Sequence, residues 1–132
     1  MSNKLKISIE ENTALITIDN PPANTWDLES LGFLEETIKE LNSNKEVYTL
    51  IVTGKGEKFF SAGADLKVFH EGGKEAAKKM ADAFANAFNE LSNFRGFSIA
   101  AINGFAMGGG LECALACDVR IAEEQSKLAL PE

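Results

Sequence analysis

The sequence predicts an α/β domain in which helices cover mainly parallel strands, and three features carry that prediction. Short β-branched runs alternate with longer stretches whose apolar residues recur at helical spacing. The run "VYTLIVTG" at 47–54 is apolar almost throughout, as in a strand covered on both faces. A glycine-rich stretch, "NGFAMGGGLE" at 103–112, lies between a strand-like and a helix-like segment.

In chain order, "KLKISIE" alternates Leu5, Ile7 and Ile9 with polar residues, "ENT" interrupts it, and "ALITID" follows, which reads as a β-hairpin. The Pro21–Pro22 pair in "NPPANTWD" excludes helix, and Asp27 is placed to cap the next element. Leu28, Leu31, Leu34, Ile38 and Leu41 then form an amphipathic stripe. After the strand at 47–54, "GKGEKFFSAGADL" reads as loop with a short strand at Phe59–Phe60. From Lys74 to about Asn93 a long helix carries Ala77, Met80, Phe84, Ala87, Phe88 and Leu91 on one stripe, read as core. "FSIAAI" is a strand, "NGFAMGGG" a loop, "LECALAC" a helix, "DVRIA" a strand, and "KLALPE" opens a further element. The order is two strands then a helix, loosely repeated, without a strict sequence repeat.

The composition excludes several classes of protein. A hydrophobic content of 45% with 25% charged residues is that of a globular domain, and 132 residues suffice for one core. Twenty acidic against thirteen basic residues give a net charge of −7, which disfavours nucleic acid and anionic membrane surfaces as partners. The polar start "MSNKLKISIEE" lacks the layout of a secretory signal, so the cytoplasm is the expected location. Cys113 and Cys117, with one histidine in the chain, do not make a zinc site; they read as two reduced, buried thiols. No metal is expected.

The glycine stretch fits neither common phosphate-binding pattern. Its glycines meet Leu111 where a P-loop needs Lys-Ser/Thr, and Cys113 stands where the dinucleotide motif needs a third glycine. A membrane-span reading of 96–117 is spoiled by five glycines, Asn103 and Glu112. What remains is a backbone argument: Gly108, Gly109 and Gly110 let main-chain amides approach a ligand closely at the positive end of a helix. "FFSAGADL" offers a second bare amide from the turn around Ala62, Gly63 and Ala64, and two such amides make an oxyanion hole. Glu112 is the sole charged side chain between Arg95 and Asp118. Two readings of it stand level: a carboxylate serving the helix dipole, or an acid–base group whose apolar surroundings raise its proton affinity.

"AAINGFAMGGGLECALACDVRIA" together with "KFFSAGADL" resembles the crotonase superfamily, the enoyl-CoA hydratases and isomerases, from Lys4 to the last residue. The resemblance implies a spiral of β-β-α turns, with residues 1–132 forming the N-terminal part of a catalytic domain about twice as long. It implies an acyl-CoA thioester as substrate, no separate cofactor, and the amides of Ala64 and Gly109 as donors to the thioester oxygen. Glu112, two positions after the glycine triplet, and Glu132, in the Pro-Glu pair twenty residues on, match the two glutamates of the hydratases. By resemblance Glu112 deprotonates water and Glu132 delivers a proton to the α-carbon. Ala62, Asp65 and Leu66 are expected to contact coenzyme A, Ala23 to line the same groove, and Gly108 and Pro131 to belong to the substrate-binding residues as well. Lys55, Lys58 and Lys67 are candidates for the coenzyme A phosphates, and His70 has no assigned role. The implied reaction is reversible hydration of a 2-enoyl-CoA in fatty-acid β-oxidation or related catabolism, by a homotrimer or hexamer. The alternatives are isomerisation or decarboxylation by the same oxyanion hole, or non-catalytic acyl-CoA binding. As the last residue, Glu132 is expected to be weakly held. The loop "NPPANTWDLES" departs from the commoner Asn-Ala-Leu pattern of the family, which bears on acyl-chain preference.

Overall fold

A computed structural model describes residues 2–131. The alternating first segment forms β1 (Leu5–Glu10), which pairs antiparallel with β2 (Thr13–Ile18) as the expected hairpin. Asp27 then caps α1 (Leu28–Ser43) through a reciprocal box: its Oδ1 accepts from the Ser30 amide at 2.8 Å, and its own amide donates to Ser30 Oγ at 3.0 Å. Lys4 Nζ donates to Asp27 Oδ2 at 2.5 Å and ties β1 to this helix start. Burial pushes the Asp27 carboxyl up, but the hydrogen bonds from Lys4 and Ser30 outweigh it and hold the group below the usual carboxylate range.

The chain continues through β3 (Thr49–Gly54), β4 (Phe59–Ser61), α2 (Leu66–Ser92), β5 (Phe97–Ile102), β6 (Phe105–Met107), α3 (Gly109–Ala116), β7 (Val119–Ala122) and β8 (Leu128–Ala129). Two sheets result, one ordered β1-β2-β3-β5-β7 and the other β4-β6-β8. Apart from the β1–β2 hairpin, every pairing between these strands is parallel. From β3 onward, each turn of chain therefore lays one strand in the large sheet and the next in the small sheet, and α2 and α3 carry the chain back to the large sheet. This is the loosely repeated order expected from the sequence.

Two asparagines, Asn24 buried and Asn103 half-buried, direct the change of sheet. Asn24 Nδ2 donates to the carbonyls of Lys55 (3.2 Å) and Phe59 (3.0 Å), while Asn103 Nδ2 donates to those of Gly56 (2.9 Å) and Phe59 (3.1 Å). The 54–59 turn is thus held from two sides, and β4 leaves it in a fixed direction. The core lies between α1, α2 and the large sheet, with Ile16, Ile18, Leu31, Leu34, Ile38, Leu50, Val52 and Ile102 essentially sealed from solvent. Each such side chain contributes about 1.5–3 kcal/mol on burial. Arg95 ties the strand layer to the end of α1 by donating to the carbonyls of Leu41, Asn42 and Asn44.

Three expectations need correction. Residues 105–107, read as loop, form β6, because the small-sheet strands are too short for side-chain alternation to show. The stretch after the Ser61–Asp65 turn is helical, so α2 begins at Leu66; Gly73 (φ 64°, ψ −154°) breaks it into two helical segments, the second starting at the expected Lys74. Leu28, placed on the core stripe of α1, is 43% exposed. The two cysteines are free and buried, as read from the sequence. Burial raises the Cys113 thiol well above its ordinary value and pushes Cys117 up to about 12.

Candidate active site

Two turns meet where the small sheet passes into α2 and α3. The first runs from Ser61 to Asp65. Ser61 Oγ accepts from the Gly63 amide at 3.1 Å, and Gly63 takes φ +96°, a left-handed conformation that favours glycine. The Trp26 amide donates to Gly63 O and the Asp65 amide donates to Trp26 O, each at 2.8 Å. These bonds straddle Ala64 and form a parallel bridge in which the N–H of Ala64 points away from Trp26. Asp65 caps α2, its Oδ1 accepting from the Lys67 amide at 3.1 Å.

The second turn follows β6. Gly108 takes φ +53° and donates its amide to Ala129 O of β8 at 3.0 Å, after which α3 begins at Gly109. The first amides of a helix have no intrahelical acceptor. Neither the Ala64 nor the Gly109 amide donates a hydrogen bond to any described residue.

Close approach explains the glycines. A Cβ on Gly110 would lie 2.0 Å from Ser61 O, and one on Gly63 would lie 2.8 Å from Met107 O and 3.1 Å from Gly109 N. The two turns are therefore in van der Waals contact, and Ala64 and Gly109, whose amides are unpartnered among the described residues, both line one cleft of about 770 Å³. One wall of this cleft is α2, through Ala77, Ala81, Phe84, Ala85 and Phe88; the opposite wall is α3, through Glu112, Leu115 and Ala116. The arrangement offers two backbone donors and a carboxylate beside an apolar surface, a setting suited to stabilising charge that develops on a carbonyl oxygen.

Not every predicted residue comes to the cleft. Ala64, Gly109 and Glu112 line it; Ala23, Ala62, Asp65, Leu66 and Gly108 do not. The first three of these are tied into the first turn by backbone hydrogen bonds, the Ala62 amide donating to Ala23 O at 3.0 Å and the Asp65 amide to Trp26 O at 2.8 Å. Leu66 is 76% exposed. Glu112 is also exposed, on the first turn of α3, with no ion pair or side-chain hydrogen bond to a described residue. Its isolation in sequence thus does not mean burial: Glu112 and Leu115 lie on the exposed, cleft-lining side of α3, while Gly110, Cys113 and Ala114 are buried. Glu132 lies outside the described residues. Pro131 is exposed, and the pairings Ala106–Leu128 and Met107–Ala129 run the chain before it alongside the second turn. Lys55 approaches Asp19 at 3.8 Å, Lys58 sits 5.5 Å over the Phe59 ring, and His70 is exposed on α2.

The stripe read as core on the long helix divides in two. Met80, Ala87 and Leu91 are sealed, whereas Ala77, Phe84 and Phe88 line the cleft. The signal that could have separated them is the ladder Ala77, Ala81, Ala85 at four-residue spacing, a row of small side chains where a packed core would place larger ones.

No helix among the described residues is long and apolar enough to cross a membrane. Successive strand–strand–helix turns, with two small-residue turns meeting over an apolar cleft, define a crotonase-like fold. The family model described as enoyl-CoA hydratase/isomerase matches residues 8–132, and the chain belongs to that family. It is 39% identical to a probable enoyl-CoA hydratase of Bacillus subtilis, over 98% of this chain and 50% of that one. It is 38% identical to a carnitinyl-CoA dehydratase of Escherichia coli, over 100% and 50%. Among solved structures, Pseudomonas aeruginosa DspI is 60% identical with a TM-score of 0.97, covering 99% of this chain and 54% of that one. An enoyl-CoA hydratase of Bacillus anthracis is 32% identical with a TM-score of 0.92, covering 96% and 50%. The chain spans about half the length of the curated relatives it matches.

Proposed function

We propose that the native protein adds water reversibly across the 2,3 double bond of a 2-enoyl-CoA thioester. The observation that carries this reading is the convergence of two unpartnered amides, Ala64 and Gly109, with the Glu112 carboxylate on one cleft. The thioester oxygen accepts from both amides, each contributing about 3–4 kcal/mol to holding its developing charge. Glu112 takes a proton from water as the water oxygen bonds to the β-carbon, and the π electrons move onto the thioester oxygen as an enolate. Glu132, which follows the strand paired with the second turn, returns a proton to the α-carbon. Ala23, Ala62, Asp65, Leu66, Gly108 and Pro131 contact the thioester or its coenzyme A, and no further cofactor is required. The same reading extends to acyl-CoA catabolism in the cytoplasm by a homotrimer or hexamer.

The test is incubation of the native gene product with 2-butenoyl-CoA. Loss of the enone absorbance with a product heavier by one water supports the reading. A product of unchanged mass with a moved double bond would replace it with isomerisation, and release of carbon dioxide from a carboxylated thioester would replace it with decarboxylation. Binding without turnover of any of these thioesters would leave an acyl-CoA-binding module.

A further inference from the structure

Trp26 touches both halves of this site. Its backbone bonds hold the residues on either side of Ala64. Its ring is fully buried and meets Phe88 edge to face, with centroids 5.9 Å apart at 74°. Phe88 packs against Phe84 at 5.5 Å, and the Phe84 edge stands 2.8 Å from the point where a Cβ on Gly109 would lie. A continuous path of stiff groups thus runs from the Trp26 backbone to the first amide and from the Trp26 ring, through two phenylalanines, to the second.

The indole Nε1 is a buried polar atom without a hydrogen-bond partner among the described residues. An orphaned donor is a cost that Phe or Leu at the same place would avoid, so filling space does not by itself account for an indole here. The indole is, however, the longest ring that reaches from the backbone beside Ala64 to Phe88. Shortening it would open a void into which Phe88 and Phe84 relax, drawing the support away from Gly109.

We propose that Trp26 is a positioning residue for the thioester site: it spaces the Ala64 and Gly109 amides through the Trp26–Phe88–Phe84 stack and so sets how strongly the carbonyl is polarised. The proposal rests on the reading of those amides as donors to the thioester oxygen, and the test separates the two. In the native gene product the carbonyl stretch of a bound 2-enoyl-CoA is recorded by difference infrared spectroscopy, alongside kcat, KM and the melting temperature. The unsubstituted protein lowers the carbonyl frequency on binding. Trp26→Leu loses at least half of that shift, with kcat down about tenfold and KM within about twofold. Phe88→Leu, which keeps the Trp26 backbone bridge, also loses part of the shift, and it decides the matter if Trp26→Leu does not fold. Trp26→Phe, which keeps a ring against Phe88, recovers most of the shift. Lower melting temperatures with an unchanged bound-carbonyl frequency and kcat would reduce Trp26 to a core residue and overturn the proposal. Absence of any shift in the unsubstituted protein would instead overturn the amide reading itself.

Discussion

The two turns that meet beside the cleft use glycine for different reasons. At Gly63 both the backbone conformation and the space exclude a side chain; at Gly108 the conformation alone does, with open space where a Cβ would sit; at Gly110 the space alone does. The first turn is also bound from several elements, by Ala23, by Trp26 and by its own Ser61, whereas Gly108 is bound to β8 by one amide. Glycine content in this site therefore reports close approach between two chain segments more than flexibility, and the first turn acts as the template against which the second is set.

Alanine substitutions test that difference in order of effect. Gly110→Ala puts a methyl group inside the Ser61 carbonyl, so a loss of about 3 kcal/mol or more is expected, read as a collapse of the thermal transition. Gly63→Ala forces both a left-handed backbone and a wedge against Met107 and Gly109. It is expected to cost about 2 kcal/mol and to lower kcat at least tenfold, because the two amides move apart. Gly108→Ala meets no atom and carries backbone strain alone, about 1–2 kcal/mol, with kcat close to that of the unsubstituted protein. Equal losses at Gly63 and Gly108, measured by chemical denaturation, would show that space plays no part.

The flanks of the two turns respond to opposite ends of the pH scale, the smallest of these effects near neutrality. Asp27, at the start of the helix joined to the first turn, has a depressed pKa in the fold. Its stabilisation is present above the unfolded carboxylate value, about 4, and is lost as pH falls through the lower folded value. Cys113 and Cys117, on and after α3, have raised pKa values. Their stabilisation is present below the unfolded thiol value, about 8.5, and is lost as pH rises toward the folded values, about 12 for Cys117. Melting curves should thus lose part of their acid sensitivity in Asp27→Asn and part of their alkaline sensitivity in Cys117→Ala.

How much of this was legible in the sequence follows from what each signal reports. The capping of α1 was readable because Asp27 and a helical stripe stand next to each other, and the hairpin and β3 because six-residue strands show their pattern. β6 was not, since three residues inside a glycine-rich run carry no periodicity. The cleft wall on α2 was hidden for a different reason: a helix facing a core and one facing a ligand space repeat at the same interval, so Phe84 and Phe88 looked like Met80 and Leu91. Glu112, solitary among uncharged residues in the sequence, lines the cleft yet is exposed, because charge spacing along a chain does not report depth. The loop that carries Trp26 stood out as a departure from the family pattern, but the span of Trp26 from Ala64 to Phe88 is set by tertiary packing and has no signal in the sequence.

The central claim is that these two turns bring Ala64, Gly109 and Glu112 to one reacting thioester. Its most direct test is the rate of 2-butenoyl-CoA hydration by the native gene product and its Glu112→Gln variant. The account predicts a kcat at least about a hundredfold lower in the variant, with thioester affinity within about threefold. An unchanged kcat would contradict it and leave Glu112 as no more than a charge at the start of a helix.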